Sequence, residues 1–152
     1  MINKGLFTSS TPEWATPQDF FDKIDKEFDF CLDVCANKEN TKCEAFLSKE
    51  TDGLKVDWRD WFGWKWMNPP YGREIKEWVK KASEERQVVA LLPARTDTKY
   101  FHEYIYQKEN VEIRFIKGRL KFGGSKNSAP FPNMLVIFKK YEEYKKQCGI
   151  KS

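Results

Sequence analysis

Gly63-Trp64-Lys65-Trp66-Met67-Asn68-Pro69-Pro70-Tyr71 is the stretch from which the fold of this chain is read. Its first five residues predict a short strand, and Asn-Pro initiates a turn. The turn therefore stands at a strand's carboxyl end, where open α/β sheets place their ligands. Two consecutive prolines fix φ and carry no N–H, so the turn's carbonyls are held at a set angle without a competing local donor. Asn-Pro-Pro is also an ordinary way to end a strand, so the rest of the chain has to decide between a turn and a site.

The four residues Asn68 to Tyr71 match the chemical needs of methylating an exocyclic amine on a planar base. The lone pair of such an amine is delocalised into the ring, which makes the nitrogen a poor nucleophile. Accepting hydrogen bonds from both N–H groups draws it toward tetrahedral geometry. The side-chain oxygen of Asn68 is one acceptor and the backbone carbonyl of Pro69 a second. Pro70 stiffens the turn, and Tyr71 offers a flat face for an extruded base. Asn68, Pro69, Pro70 and Tyr71 are thus the catalytic candidates.

Working outward, Ile75, Trp78, Val79 and Ala82 recur at helical spacing, and Val88 to Leu92 is a continuous apolar run typical of a strand inside a parallel sheet. Upstream, Thr16-Pro17 predicts an N-cap followed by proline at the first helical position, with Phe20, Phe21, Ile24 and Phe28 on one face. Phe30 to Val34 predicts a buried strand carrying Asp33 near its end, and Ala45-Phe46-Leu47 a second short one before the turn at Asp52-Gly53. Downstream, Asp97 or Thr98 is expected to cap a helix that turns Phe101, Tyr104 and Ile105 inward. Val111 to Ile116 and Met134 to Phe138 complete the strands. Strands alternating with helices, then a late strand pair, predict a Rossmann-like α/β sandwich. The expected organisation is a flexible start over 1–10, one domain over 11–140 and a lysine-rich helix or tail over 141–152.

The chain has 152 residues, enough for one proper core, with 40% hydrophobic and 33% charged residues. Aromatics reach 16%, so rings supply much of what it can bury. No apolar run approaches the roughly twenty residues of a membrane span, and the start lacks a secretory apolar stretch. A cytoplasmic location and no membrane partner are expected. The four cysteines form no Cys-x-x-Cys pair and His102 is the one histidine, so no metal site is assigned. Net charge is +4 but unevenly spread. Up to Pro70 there are 9 Lys and Arg against 13 Asp and Glu, and from Tyr71 onward 18 against 10. Ile113 to Tyr141 holds Arg114, Lys117, Arg119, Lys121, Lys126, Lys139 and Lys140 with no acid. Such a stretch is an electrostatic footprint for phosphate, or else a solvated surface.

Taken together, these segments resemble the DNA N-6-adenine-methyltransferase family of phages and prophages, often called Dam-like, from about Thr11 to Lys139. The specific pieces are Thr11-Pro12-Glu13-Trp14-Ala15-Thr16-Pro17 and Asn68-Pro69-Pro70-Tyr71-Gly72. Leu32 to Ala36, Asp52-Gly53-Leu54, Leu92 to Thr98, Gly118-Arg119-Leu120 and Ala129 to Pro132 support it in order and spacing. The resemblance implies methyl transfer from S-adenosylmethionine to adenine N6 in DNA, on a compact class I methyltransferase fold with a trimmed sheet. It implies a cofactor site at Trp14, Thr16 and Pro17, with Thr16 the partner of the methionine carboxylate. Asp33 would accept from the cofactor's amino or ribose groups, Asp52 from its adenosine end, and Asn68 adjoins the methyl. The family label also suggests a four-base palindrome such as GATC.

One departure is that Asp33-Val34-Cys35-Ala36 and Asn37 to Asn40 lack the glycines usual in this fold's cofactor loop. Small Cys35 and Ala36 would let the backbone approach a ligand that carries no phosphate. For DNA, Arg95, Arg119, Lys121 and Lys126 are candidates for phosphate or base contact, and Asn127 for adenine. The loop 122–132 is the expected recognition element. The alternatives are an Asn-Pro-Pro-Tyr methyltransferase acting on protein glutamine or RNA, a cytosine amino methyltransferase, and a catalytically silent DNA-binding module of the same fold. A monomer or weak dimer is compatible with the sequence.

Overall fold

The computed structural model describes residues 15–124 and 128–141 of the chain. Trp14, Lys126 and Asn127, the expected flexible start and all of the expected tail after Tyr141 lie outside the described residues. In chain order the elements are helix α1 (Gln18–Phe28), strand β1 (Leu32–Asp33), strand β2 (Lys65–Met67), helix α2 (Ile75–Glu85) and strand β3 (Val88–Pro93). Strands β4 (Val111–Phe115) and β5 (Asn133–Phe138) follow. They form one mixed sheet in the order β1-β2-β3-β5-β4. β1, β2 and β3 run parallel, and β5 lies antiparallel to both β3 and β4. The reversed β5 therefore begins, at Asn133, beside the carboxyl end of β3, where Pro93 pairs with Asn133.

The alternation along β3 builds two cores. Val88, Ala90 and Leu92 face one layer with Trp78, Val79 and Ala82 of α2, while Val89 and Leu91 face the other with Phe21 of α1. β5 divides in the same way, with Met134, Val136 and Phe138 on the α2 side and Leu135 and Ile137 on the α1 side. A strand buried on both faces needs no polar residue in its alternation, which is why both runs read as uninterrupted apolar sequence. Trp66 and Met67 split across the two faces likewise. Gly53 packs so closely under β1 that a Cβ there would stand 2.4 Å from the Val34 carbonyl oxygen. Trp58 donates its indole N–H to the Gly53 carbonyl at 2.8 Å, so this connection is folded tightly onto the sheet.

Several expected boundaries are corrected. Pro17, not Thr16, is the N-cap of α1; it makes no side-chain cap bond, and its carbonyl accepts from Phe21 N at 3.0 Å. The strand expected over Phe30–Val34 is only Leu32–Asp33, because β2 offers it a partner just three residues long. Ala45–Leu47 forms a single parallel bridge, between Phe46 and Asp33, rather than a strand. The helix expected after Thr98 is a short π-helical turn, Phe101–Ile105, with no side-chain cap. Thr98 instead donates to the Arg95 carbonyl at 2.8 Å.

Candidate active site

The carboxyl ends of β1, β2 and β3 deliver Asp33, Asn68 and Pro93 to one edge of the sheet, and the chain before α1 delivers Thr16 to the same place. Thr16 is 4% exposed, and its Oγ1 accepts a 3.0 Å hydrogen bond from Asn68 Nδ2. The hydroxyl that the sequence assigned to the helix cap is thus turned onto the Asn-Pro-Pro-Tyr turn. A threonine hydroxyl that accepts still has its own proton to donate. In this pairing Nδ2 is the donor end of the Asn68 amide.

Thr16, Asp33, Cys35 and Asn68 line one small cleft with Asn40 and Lys42, and it encloses about 20 Å³. Asp33 is almost fully buried. Its two carboxylate oxygens accept from the backbone N–H groups of Cys35 at 3.2 Å and of Lys42 at 3.0 Å. Burial nevertheless dominates and raises its pKa to about 7, against the lowering by those two amides and by the Lys42 charge. Asn37 organises the same loop, its Oδ1 accepting from Glu39 N and Asn40 N, while Asn40 Oδ1 accepts from Asn37 N. Lys42 Nζ ties the loop to Gln18 of α1 at 2.8 Å. Side-chain oxygens bonded to local amides do here what glycines do elsewhere, closing the turn without positive φ. Cys35 and Cys43 are pushed up to about 12, chiefly by burial and then by Asp33, so both stay thiols near neutral pH.

Tyr71 is fixed at both ends. Its hydroxyl donates to the Leu91 carbonyl at 3.0 Å, and Asn133 Nδ2 reaches that hydroxyl at 3.5 Å and the Leu92 carbonyl at 3.2 Å. Burial raises the Tyr71 phenol well above its ordinary range, so it stays protonated and a donor. Phe122 and Phe131 meet its ring edge-on, at centroid distances of 6.2 and 5.6 Å. The Arg95 guanidinium lies 5.7 Å from the Phe131 centroid. The loop 122–132 is joined to the site by Gly123 N donating to Ala15 O at 2.8 Å and Ala94 N donating to Pro132 O at 2.9 Å.

The structure thus brings together Thr16, Asp33, Cys35 and Asn68, with Pro17 next in the chain. It does not bring Asp52 there. That carboxylate caps the short turn Gly53–Lys55, accepting from Leu54 N at 3.3 Å, and pairs with Lys55 at 3.8 Å. Arg119 donates to the Ala129 carbonyl at 3.3 Å, and Lys121 is exposed. Arg114 and Lys139 of the acid-free stretch pair at the surface with Glu27 and Glu112. Sequence reasoning missed Asn40, Lys42 and Asn133. None stands in a recognisable motif, and each reaches the site through a loop closure or a reversed strand. Arg73, directly after the motif, was the one omission with an adjacent signal.

Comparison with known proteins places these features in a family. The family model described as DNA N-6-adenine-methyltransferase (Dam) matches residues 6–152. The chain is 30% identical over 142 residues to the DNA N-6-adenine-methyltransferase of Haemophilus phage HP1, covering 86% of this chain and 80% of that protein. It is 34% identical over 114 residues to the DNA N-6-adenine-methyltransferase of Escherichia phage T1, covering 70% of this chain but only 45% of the phage T1 protein.

Proposed function

We propose a mechanism from one premise: the chain belongs to the DNA N-6-adenine-methyltransferase (Dam) family. Its reaction is methyl transfer to the N6 amino group of adenine in DNA. The mixed α/β sheet is a trimmed Rossmann-like class I methyltransferase sheet, and one domain over residues 11–140 carries the recognition loop 122–132 within it. The protein works in the cytoplasm of the bacterial host. The observation that carries the mechanism is the Asn68–Thr16 hydrogen bond, because it joins the turn that would hold the amine to the cofactor-side segment, with Nδ2 as the donor end of the amide.

S-adenosylmethionine is the methyl donor, and the chemistry of the small cleft suits it. Thr16 supplies a hydroxyl proton for the methionine carboxylate, Asp33 an acceptor at the end of β1, and Cys35 a small side chain under the ligand; Pro17 follows Thr16 in the chain, and Trp14 is assigned to the cofactor by the sequence alone. Asp52, held as a turn cap, is left out of the set. When bound, the cofactor supplies an electrophilic methyl on a sulfonium. The cleft at about 20 Å³ has room for roughly one water, so cofactor entry requires its walls to part.

The target adenine leaves the duplex, at a cost of about a few kcal/mol, and stacks on Tyr71. Asn68 Oδ1 and the Pro69 carbonyl accept hydrogen bonds from its two N–H groups, raising the nucleophilicity of N6 and aiming it. The sulfonium carbon–sulfur bond breaks as the N6–methyl bond forms, and one N6 proton is then released to water. Pro69 and Pro70 hold that geometry without relaxation, so positioning and removal of water provide most of the acceleration. Arg95, Arg119, Lys121, Lys126 and Asn127 contact the DNA.

The test is incubation of the purified protein with DNA and labelled cofactor, followed by nucleoside analysis. N6-methyladenine is the expected product. Asn68→Ala should lower turnover about 10²–10³-fold, the usual cost of removing one positioned polar group from a reacting centre, with cofactor binding retained. Full activity in that variant, or label on cytosine, would overturn the mechanism.

A further inference from the structure

A second cavity, of about 350 Å³, opens where the motif turns into α2. Tyr71 lines one side and Arg73 and Lys76 line the start of α2, while Arg95, Thr98 and Tyr100 come from the loop after β3. Its volume is within the range of small-molecule sites, about 300–1,000 Å³. Three of its lining residues are cations, and none of them forms an ion pair with a described residue. Glu74, Glu77 and Asp97, the acids nearest in sequence, do not line the cavity. Lys76 also stands in the first turn of α2, where the helix dipole disfavours a cation. Three uncompensated positive charges converging on one concave, partly aromatic wall complement an anion.

Building on the adenine-methylation reading, we infer that Arg73, Lys76 and Arg95 form a phosphate clamp in this cavity, holding the target-strand phosphodiester next to the adenine stacked on Tyr71. Arg95 takes part through its place over Phe131, which itself meets Tyr71 edge-on. Tyr71, which carries the base, thus lines the same cavity as the cations that carry its backbone, and eversion is held from both ends. Arg73 and Lys76 belong to no base-reading loop, so their contribution is the same for every sequence and appears in affinity and salt dependence.

The experiment measures the dissociation constant of a fluorescent duplex over a salt series for the wild type, R73Q, K76Q and the double variant. Each lost phosphate contact should reduce the slope of log Kd against log salt by about one. R73K should keep the slope, since it retains the charge. Cofactor binding by calorimetry and the thermal midpoint should be unchanged, which separates loss of the clamp from loss of fold. A wild-type slope in the double variant overturns the inference. So does loss of inorganic phosphate binding in that variant with the DNA slope intact, because the cavity would then serve a free anion. If the wild type methylates no adenine, the underlying reading fails; if it does and the slopes do not move, only the clamp fails.

Discussion

Thr16 and Asn68 are 52 positions apart and meet through one 3.0 Å hydrogen bond, and that contact changes what each residue is for. As a helix cap, Thr16 would be worth only local stability. As the acceptor for Asn68 Nδ2 it holds the amide that is proposed to accept a hydrogen bond from the amine. Thr16→Val keeps the shape but leaves a part-buried N–H without its acceptor, a penalty of about 1–3 kcal/mol. The expected result is a fall in kcat of about tenfold or more, with Thr16→Ser close to wild type. A Thr16→Val enzyme with unchanged kcat and only a raised cofactor Kd would show that the hydroxyl serves the carboxylate alone. Legibility at this scale follows range. Asn68 and Tyr71 are readable because their chemistry sits within four consecutive residues. Asn133 is not, because a reversed strand carries it to Tyr71 from 62 positions away. Asp52 looked like a ligand acid because a carboxylate capping a turn and one facing a cofactor have the same local sequence.

Among the elements, the strands with uninterrupted apolar runs were readable nearly to the residue, since burial on both sheet faces leaves a signal that needs no partner to interpret. β1 was not, because its length is set by how far β2 runs beside it. The loop after β1 shows the same limit in its chemistry. It lacks the glycines usual in this fold's cofactor loop, and the Asp33 carboxylate holds the Cys35 and Lys42 amides and shapes it instead. This arrangement has a pH signature. Asp33 has a folded pKa raised to about 7, above the ordinary carboxylate value near 4. Below pH 4 both folded and unfolded states carry the proton. Between 4 and 7 the unfolded chain loses it and the folded chain keeps it, so stability falls as pH rises, on the order of a few kcal/mol. Asp33→Asn removes that titration. Urea melts of both proteins from pH 4.5 to 7.5 should show the variant gaining on the wild type as pH increases. A difference independent of pH would mean that Asp33 is ionised throughout.

For the molecule as a whole, the two cavities beside the motif are of unequal size, and the inequality bears on how the enzyme loads. The larger, basic one is open at about 350 Å³, while the cleft proposed for the cofactor holds about 20 Å³. The cleft walls are the Thr16 segment, the Asp33 loop and the Asn68 turn, tied to one another by hydrogen bonds and by the Lys42 bridge to Gln18. A nucleoside is larger than this space, and the prediction is that some of these ties open as such a ligand enters. Opening is a unimolecular step with its own rate, so it must limit association at high ligand concentration. In stopped flow, monitored by the tryptophan fluorescence that Trp66 gives the cleft, the observed rate should level off as S-adenosylmethionine increases. Lys42→Met, which removes the bridge to Gln18, should raise the plateau. A rate that climbs linearly in both proteins, at the 10⁵–10⁷ M⁻¹s⁻¹ scale of ungated encounters, would mean that the cleft is already open in solution.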